Sequence, residues 1–342
     1  MTPDISDYHG GDALEGAASD HDKATAILHE LLSNRRLLPG EAEAPAEFEA
    51  EAAPHFDKVL AAIRKHEPLE LVLPAFPAKS PNRQKTLGPL PDFAEKHALE
   101  QLYDLCRRIK AIHAPGAKLV ICSDGRVFAD LVRIPDGDVS AYGEHLREYA
   151  RSTHGDVFDF FDLDDVFTGI SDFDTLREEL LICYGEALRS LRKRCQEDRH
   201  ARAMYQGITR FIFEDYLGLE PFAGQSRTSV QKLARVIAYR VIQRSNAWSR
   251  LLADHFADAV RLSIHPQFRV SEKIGVYLGD ADSAWTTPWH SVAVKEGGKV
   301  WLRKRAEVEN GGAVLVFEDG RPSHYEVRAD RAGGLFHVAE AA

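Results

Sequence analysis

Leu69-Glu70-Leu71-Val72-Leu73, followed by Phe76-Pro77-Ala78-Lys79-Ser80-Pro81-Asn82-Arg83-Gln84-Lys85-Thr86, decides how the chain folds. The first run reads as a buried strand, and a helical pattern begins near Pro91. Loops between strand and helix bring ligands to open α/β sheets, outside the carboxyl ends of the strands. This loop carries three cations, Lys79, Arg83 and Lys85, with the hydroxyls of Ser80 and Thr86 and the amide of Asn82. The composition suits a small oxygen-rich anion, most simply a phosphate: arginine offers a planar fork and lysine a point charge. A solvated connection is the plain alternative. No Walker pattern and no G-x-G-x-x-G follows an early strand, so neither a P-loop nor a dinucleotide cofactor is indicated.

Outward from this stretch the pattern alternates. Residues 92–113 read as a helix with Phe93, Leu99, Leu102, Leu105 and Ile109 as its core stripe. Residues 118–122 read as a second strand whose Leu119-Val120-Ile121-Cys122 is an uninterrupted apolar run, as in parallel strands covered on both faces. A helix near 141–152 and a strand at 157–161 follow. The expected fold class is α/β: a Rossmann-like parallel sheet with a helical block and a C-terminal antiparallel β region. Upstream, 20–37 reads as an amphipathic helix, and Phe56, Val59, Leu60 and Ile63 mark a second. The helical block spans 174–256, broken near 218–224. Strands are expected at 260–265, 273–278, 291–294, 300–304, 313–318 and 323–327, with hairpin turns at Gly297-Gly298 and Asp319-Gly320. Whether these form a second lobe or extend the sheet's edge stays open. The domain reading is a mobile tail at 1–20, an α/β domain at 21–256, a β region at 257–330 completing the active site, and a tail at 331–342.

The chain has 342 residues and a net charge of −10, which gives no electrostatic footprint for nucleic acid. Cys106, Cys122, Cys183 and Cys195 lack C-x-x-C spacing and read as buried, reduced thiols; no metal-ligand pattern is present. With no secretion signal and no apolar run of membrane-spanning length, a cytoplasmic protein without membrane partners is expected.

Further constellations stand out. Ser123-Asp124-Gly125-Arg126, with Asp130 a turn later, follows the second strand; a cap and turn explain Asp124 and Gly125, but not Arg126 and Asp130. In Arg261-Leu262-Ser263-Ile264-His265-Pro266-Gln267, alternation puts Arg261, Ser263 and His265 on one face, with His265 suited to proton exchange. Trp285-Thr286-Thr287-Pro288-Trp289-His290-Ser291 suits an aromatic-ligand pocket or plain core packing. Gln225-Ser226-Arg227-Thr228 opens a long helix, as a second anion site or an ordinary cap.

Taken together and in order, residues 76–92, 123–130, 261–267 and 287–292 resemble the isocyanide (isonitrile) synthases of the pyoverdine/dityrosine-biosynthesis type. The resemblance implies an enzyme joining the amino group of an aromatic amino acid, tyrosine or tryptophan, to C2 of ribulose 5-phosphate. That carbon becomes the isocyanide carbon, in a carbon–carbon lyase reaction with no metal or redox cofactor. An iron/2-oxoglutarate oxygenase often acts next. On this basis Lys79, Ser80, Asn82, Arg83 and Lys85 are expected at the phosphosugar. His265, Asp124 and Asp130 are the acid–base candidates, with Lys79 also placed among the catalytic residues as a less favoured Schiff-base former. Trp289 is expected to wall the aromatic slot and Arg126 or Arg227 to meet the carboxylate. Ser123, Gln267 and His290 complete the expected substrate contacts. N-formyl amino-acid synthesis, or a non-catalytic phosphosugar-binding protein, are the alternatives.

Overall fold

Strand β1, Leu69–Pro74, is the centre of the molecule. In the computed structural model, which describes residues 18–33, 35–43, 45–281 and 286–327, it lies within a five-stranded sheet of order β3-β2-β1-β4-β5. The other strands are β2, Ala117–Cys122; β3, Phe158–Phe161; β4, Val260–Ser263; and β5, Ile274–Gly275. All four pairings are parallel. Leu69, Leu71 and Leu73 point into a core built with the helices Asp20–Ser33, Phe48–Lys65 and Phe93–Ile112. Val72, on the other face, packs with Val120, Trp248, Leu251 and Leu252 under the helix Arg227–His255. Both faces are therefore dry, which is why the strands read as continuous apolar runs.

Three expectations are corrected here. The strands at 260 and 274, read as part of an antiparallel region, instead extend the parallel sheet. The second of them covers only Ile274–Gly275, because the segment after the first helix takes up that edge: Arg36 N–H donates to Gly275 O (2.8 Å) and Gln267 N–H to Arg36 O (3.0 Å). The remaining strands, β6 Asp280–Ala281, β7 Val292–Glu296, β8 Lys299–Arg303, β9 Val314–Glu318 and β10 Arg321–Glu326, form a separate sheet. It is mixed: β7–β8 and β9–β10 are antiparallel hairpins, whereas β7–β10 and β6–β8 are parallel. The hairpin turns are those expected, with positive φ at Gly297, Gly298, Asp319 and Gly320. Cys183, read as buried, is exposed. Trp285 and the tails before residue 18 and after residue 327 lie outside the described residues.

The loop after β1 is held from both ends. Phe76 has φ 57°, a conformation rare for a bulky side chain, and packs against Trp289 with ring centroids 5.3 Å apart. Lys79 is fully buried; its ammonium lies 2.8 Å from Asp92 and 2.9 Å from Glu95, and donates to Pro288 O at 3.0 Å. Asp92 and Glu95 form the capping box of the helix Phe93–Ile112, and Tyr142 O–H donates to Glu95 (3.2 Å). Burial pushes the Glu95 carboxyl up to about 7 against the pull of Lys79. One cation thus ties the loop, a helix start and the 288–290 turn together.

Replacing Lys79 by Met strands these carboxylates and is expected to cost about 3–5 kcal/mol in urea denaturation, part of it recovered by adding Glu95→Gln. An unchanged midpoint would show that the cluster does not hold the loop. Exposed Arg83 changed to Ala should stay within about 0.5 kcal/mol of the parent. Gly125→Ala should lower the melting temperature, because a Cβ there would sit 1.9 Å from Pro77 O and 2.7 Å from Val139 Cγ1.

Candidate active site

From β1 the chain runs outward to β2 and β3 on one side, then returns to β4 and β5 on the other. Where strand order reverses, neighbouring loops part and leave a crevice at the carboxyl ends. A cavity of about 100 Å³ occupies this place, between Pro74 at the end of β1, Asp124 after β2, and Arg261, Ser263 and His265 on and beyond β4. Ser245, Trp248 and Ser249, at i, i+3 and i+4 on the helix Arg227–His255, line it from one side, and Lys273 from the loop before β5. Asp124 and His265, read as acid–base candidates from separate motifs, are brought together here.

The crevice shifts its titratable groups toward neutrality. Desolvation pushes the Asp124 carboxyl up to about 7. Burial, and then the neighbouring Arg261 charge, brings the Lys273 ammonium down to about 8. Burial, followed by the charges of Arg36 and Lys273, draws His265 down to about 4. His265 is nonetheless an exposed residue at the crevice mouth, so solvent offsets part of that shift. Three buried polar atoms on residues lining this one cavity have no hydrogen-bond partner among the described residues: Asp124 Oδ1, Trp248 Nε1 and Arg261 Nε. Buried polar groups are nearly always paired, so their concentration at one concave site marks a place built for a ligand.

The other expected site residues are placed differently. Arg126 pairs with Asp164 (3.0 Å) and lies over the Phe173 ring. Asp130 is held by Arg244 (3.0 Å to Nη2) and Arg177, in an ion-pair hub that joins helices. Arg227 is exposed at the start of its helix, over Phe213, and Ser226 caps the helix by accepting from Ser229 N–H. Ser123 Oγ donates to Phe76 O (3.1 Å), joining the two strand-end loops. Gln267 donates to Ser263 Oγ and to the His265 and Pro266 carbonyls, which shapes the turn after β4. Trp289 is core: buried against Phe76, with its carbonyl accepting from Ser80 N–H.

The basic loop is largely neutralised. Lys85 pairs with buried Asp215 at 2.7 Å, and Ser80 Oγ donates to the same carboxylate (3.2 Å). The Asn82 amide donates to Asp215 O (3.2 Å) and packs where a Cβ on Gly218 would be, 2.3 Å from its nitrogen. Lys85 and His290 line a wider groove of about 330 Å³ with Arg210, Arg303 and Lys304. His290 is drawn well below the usual imidazole range by burial, and then by Lys85 and Lys79. Lys273 and Trp248 escaped the sequence reading. Lys273 sat in a run read as strand and Trp248 within a block read only as helical; only the alternation of Arg261 with Ser263 and His265 pointed this way.

Among the described residues no helix is long and apolar enough to cross a membrane. Comparison with known proteins agrees with this architecture. Residues 59–316 match the model of the pyoverdine/dityrosine biosynthesis protein family. An L-tryptophan isonitrile synthase of Fischerella ambigua is 44% identical over 273 residues, covering 80% of this chain and 82% of that protein. An L-tyrosine isonitrile synthase of Pseudomonas aeruginosa is 44% identical over 315 residues, covering 90% and 94%. The crystal structure of the PvcA protein from Pseudomonas aeruginosa superposes with a TM-score of 0.82 at 42% identity, over 89% of this chain and 99% of that one. The chain belongs to the pyoverdine/dityrosine biosynthesis protein family.

Proposed function

We propose that this chain is an isocyanide synthase that converts the amino group of L-tyrosine or L-tryptophan, with C2 of ribulose 5-phosphate as the carbon donor. The observation that carries the reading is the crevice at the strand-order reversal, where a carboxyl, an imidazole and two cations meet unpaired polar atoms. Relatives named for the tyrosine and tryptophan reactions, at 39–44% identity, support the choice of chemistry.

In this reading Asp124 takes the proton of the substrate ammonium, and the freed amine attacks the C2 ketone. Water leaves as the imine forms; the C1–C2 and C2–C3 bonds then break, C1 leaving as a one-carbon aldehyde and C3–C5 as a three-carbon hydroxyketone with loss of phosphate, so that C2 alone stays on nitrogen. A carboxyl near pH 7 exchanges protons efficiently at neutral pH. His265, held neutral, relays protons at the rim. Of the loop cations, Lys85 reaches an open groove and remains the candidate for the phosphate. Asp130, Arg126 and Lys79 are bound up in ion pairs and exposed Arg227 does not line the crevice, so none of the four takes a chemical role. The step uses no metal or redox cofactor, and a downstream oxygenase consumes the product.

The direct test is incubation with each amino acid and ribulose 5-phosphate labelled at C2. Labelled isocyanide is expected, and a product heavier by one water would instead be the formamide. No labelled product from either amino acid would overturn the proposal. A chelator should leave the rate unchanged. The rate should rise as pH passes through about 7, where Asp124 ionises, and fall about 10²-fold or more in Asp124→Asn, with that limb lost.

Stability gives a second signature. A carboxyl whose folded pKa is raised favours the fold fully below its unfolded value of 3.8, and that contribution is lost as pH rises through about 7. Asp124→Asn should therefore melt higher than the parent at pH 8, with a smaller margin at pH 4. An equal margin at both would contradict the raised pKa.

A further inference from the structure

We infer that Arg261, Lys273 and Ser249 form an oxyanion seat within the crevice, filled by the α-carboxylate of the amino-acid substrate. The Arg261 guanidinium donates to Ser249 O (3.1 Å) and Ser249 Oγ (3.3 Å), and the Lys273 ammonium donates to the same Oγ (3.1 Å). Two positive charges thus converge on one neutral hydroxyl. Among the described residues no Asp or Glu oxygen lies within 4.0 Å of either cation, whereas buried Lys79 and Lys85 each have a carboxylate within 3 Å. Arg261 Nε is buried and donates to nothing among the described residues. Two partly buried like charges repel unless an anion lies between them, and the donors left over are those that an oxyanion would accept from.

The same cavity holds Asp124, a lone acceptor, with Trp248 and Phe128 as aromatic wall. A phosphate dianion here would meet the Asp124 charge. A zwitterion gives each charge a partner, carboxylate on Arg261 and Lys273, ammonium on Asp124. Nothing in the pair's spacing within the sequence marks this seat, and it is distinct from the loop cations and from Arg126 and Arg227.

The inference takes the amino acid's identity from the proposed reaction, but its test reads binding and not turnover. Titration calorimetry would compare L-tyrosine with tyramine and L-tryptophan with tryptamine, which lack the carboxylate, and would include inorganic phosphate. The intact protein should bind one amino acid at least about tenfold tighter than its decarboxylated amine. Arg261→Gln and Lys273→Gln should erase that preference while leaving the amine's affinity within about twofold, and Lys273→Arg should restore part of it. If the variants instead weaken inorganic phosphate and leave the amino acids alone, the oxyanion seat stands and its occupant is the sugar phosphate. Equal affinity for amino acid and amine in the intact protein, with no phosphate binding, overturns the seat; this comparison needs no variant to fold. A protein that shows the preference but makes no isocyanide would fail the proposed reaction alone.

Discussion

The parallel pairing of β1 with β4, Leu71 beside Val260 and Val72 beside Arg261, is the constraint on which the site depends. These strands are separated by nearly two hundred residues of chain, yet they are neighbours at the one place where strand order reverses. The pairing brings the end of the RLSIHPQ stretch level with the ends of β1 and β2. Arg261 and Ser263 then share a crevice with Asp124, and His265 stands at its rim. A one-residue slip in β4 would turn Arg261 and Ser263 toward the opposite face and bring Leu262 into their place. The dry faces of β1 make such a slip costly, since Val260 is fully buried in the core under the helices Asp20–Ser33 and Phe48–Lys65.

Two kinds of buried charge occur around these strand ends, and the contrast between them sets the crevice apart. Lys79 with Asp92 and Glu95, Lys85 with Asp215, and Asp130 with Arg177 and Arg244 are closed clusters in which each ion has an opposite partner. Such clusters fix loop positions and helix starts; removing a member leaves an uncompensated charge. Among the described residues, Asp124 faces no cation within ion-pair distance, and Arg261 and Lys273 face no carboxylate. The fold tolerates this at a cost in stability that packing elsewhere offsets, which is the usual condition of a binding site in a marginally stable protein.

Much of the architecture was legible because dry parallel strands leave an unambiguous trace. Leu69–Leu73 and Leu119–Cys122 could hardly be other than buried strands, and the stripe Phe93, Leu99, Leu102, Leu105 and Ile109 announced the next helix. The two glycine-bearing hairpins were equally plain. Strand partners were less so: Val260–Ser263 looked like the first strand of an antiparallel region, because four residues carry no mark of the direction of their neighbour. At the site, Asp124 and His265 were visible as unusual residues at strand ends. The basic loop misled for a physical reason. Its cations were visible in one short stretch, while the carboxylates that neutralise Lys85 and Lys79 come partly from a helix more than a hundred residues away and partly from a cap that reads as ordinary. Charge in a sequence is local, and compensation is not.

The same reasoning explains why Lys273 and Ser249 gave no signal. Ser249 lies one residue after Trp248 on a helix whose apolar stripe is accounted for by packing, and Lys273 lies between Glu272 and Ile274 in a stretch that resembles an edge strand. Each becomes informative only once the fold puts it beside Arg261. Burial then does the chemical work: the neighbourhood that lowers Lys273 toward about 8 and raises Asp124 to about 7 narrows the gap between acid and base. Proton transfer between groups of matched affinity needs little driving force. A crevice that desolvates one carboxyl and two cations therefore sets two like charges and a carboxyl shifted toward neutrality within one small volume at the end of β1.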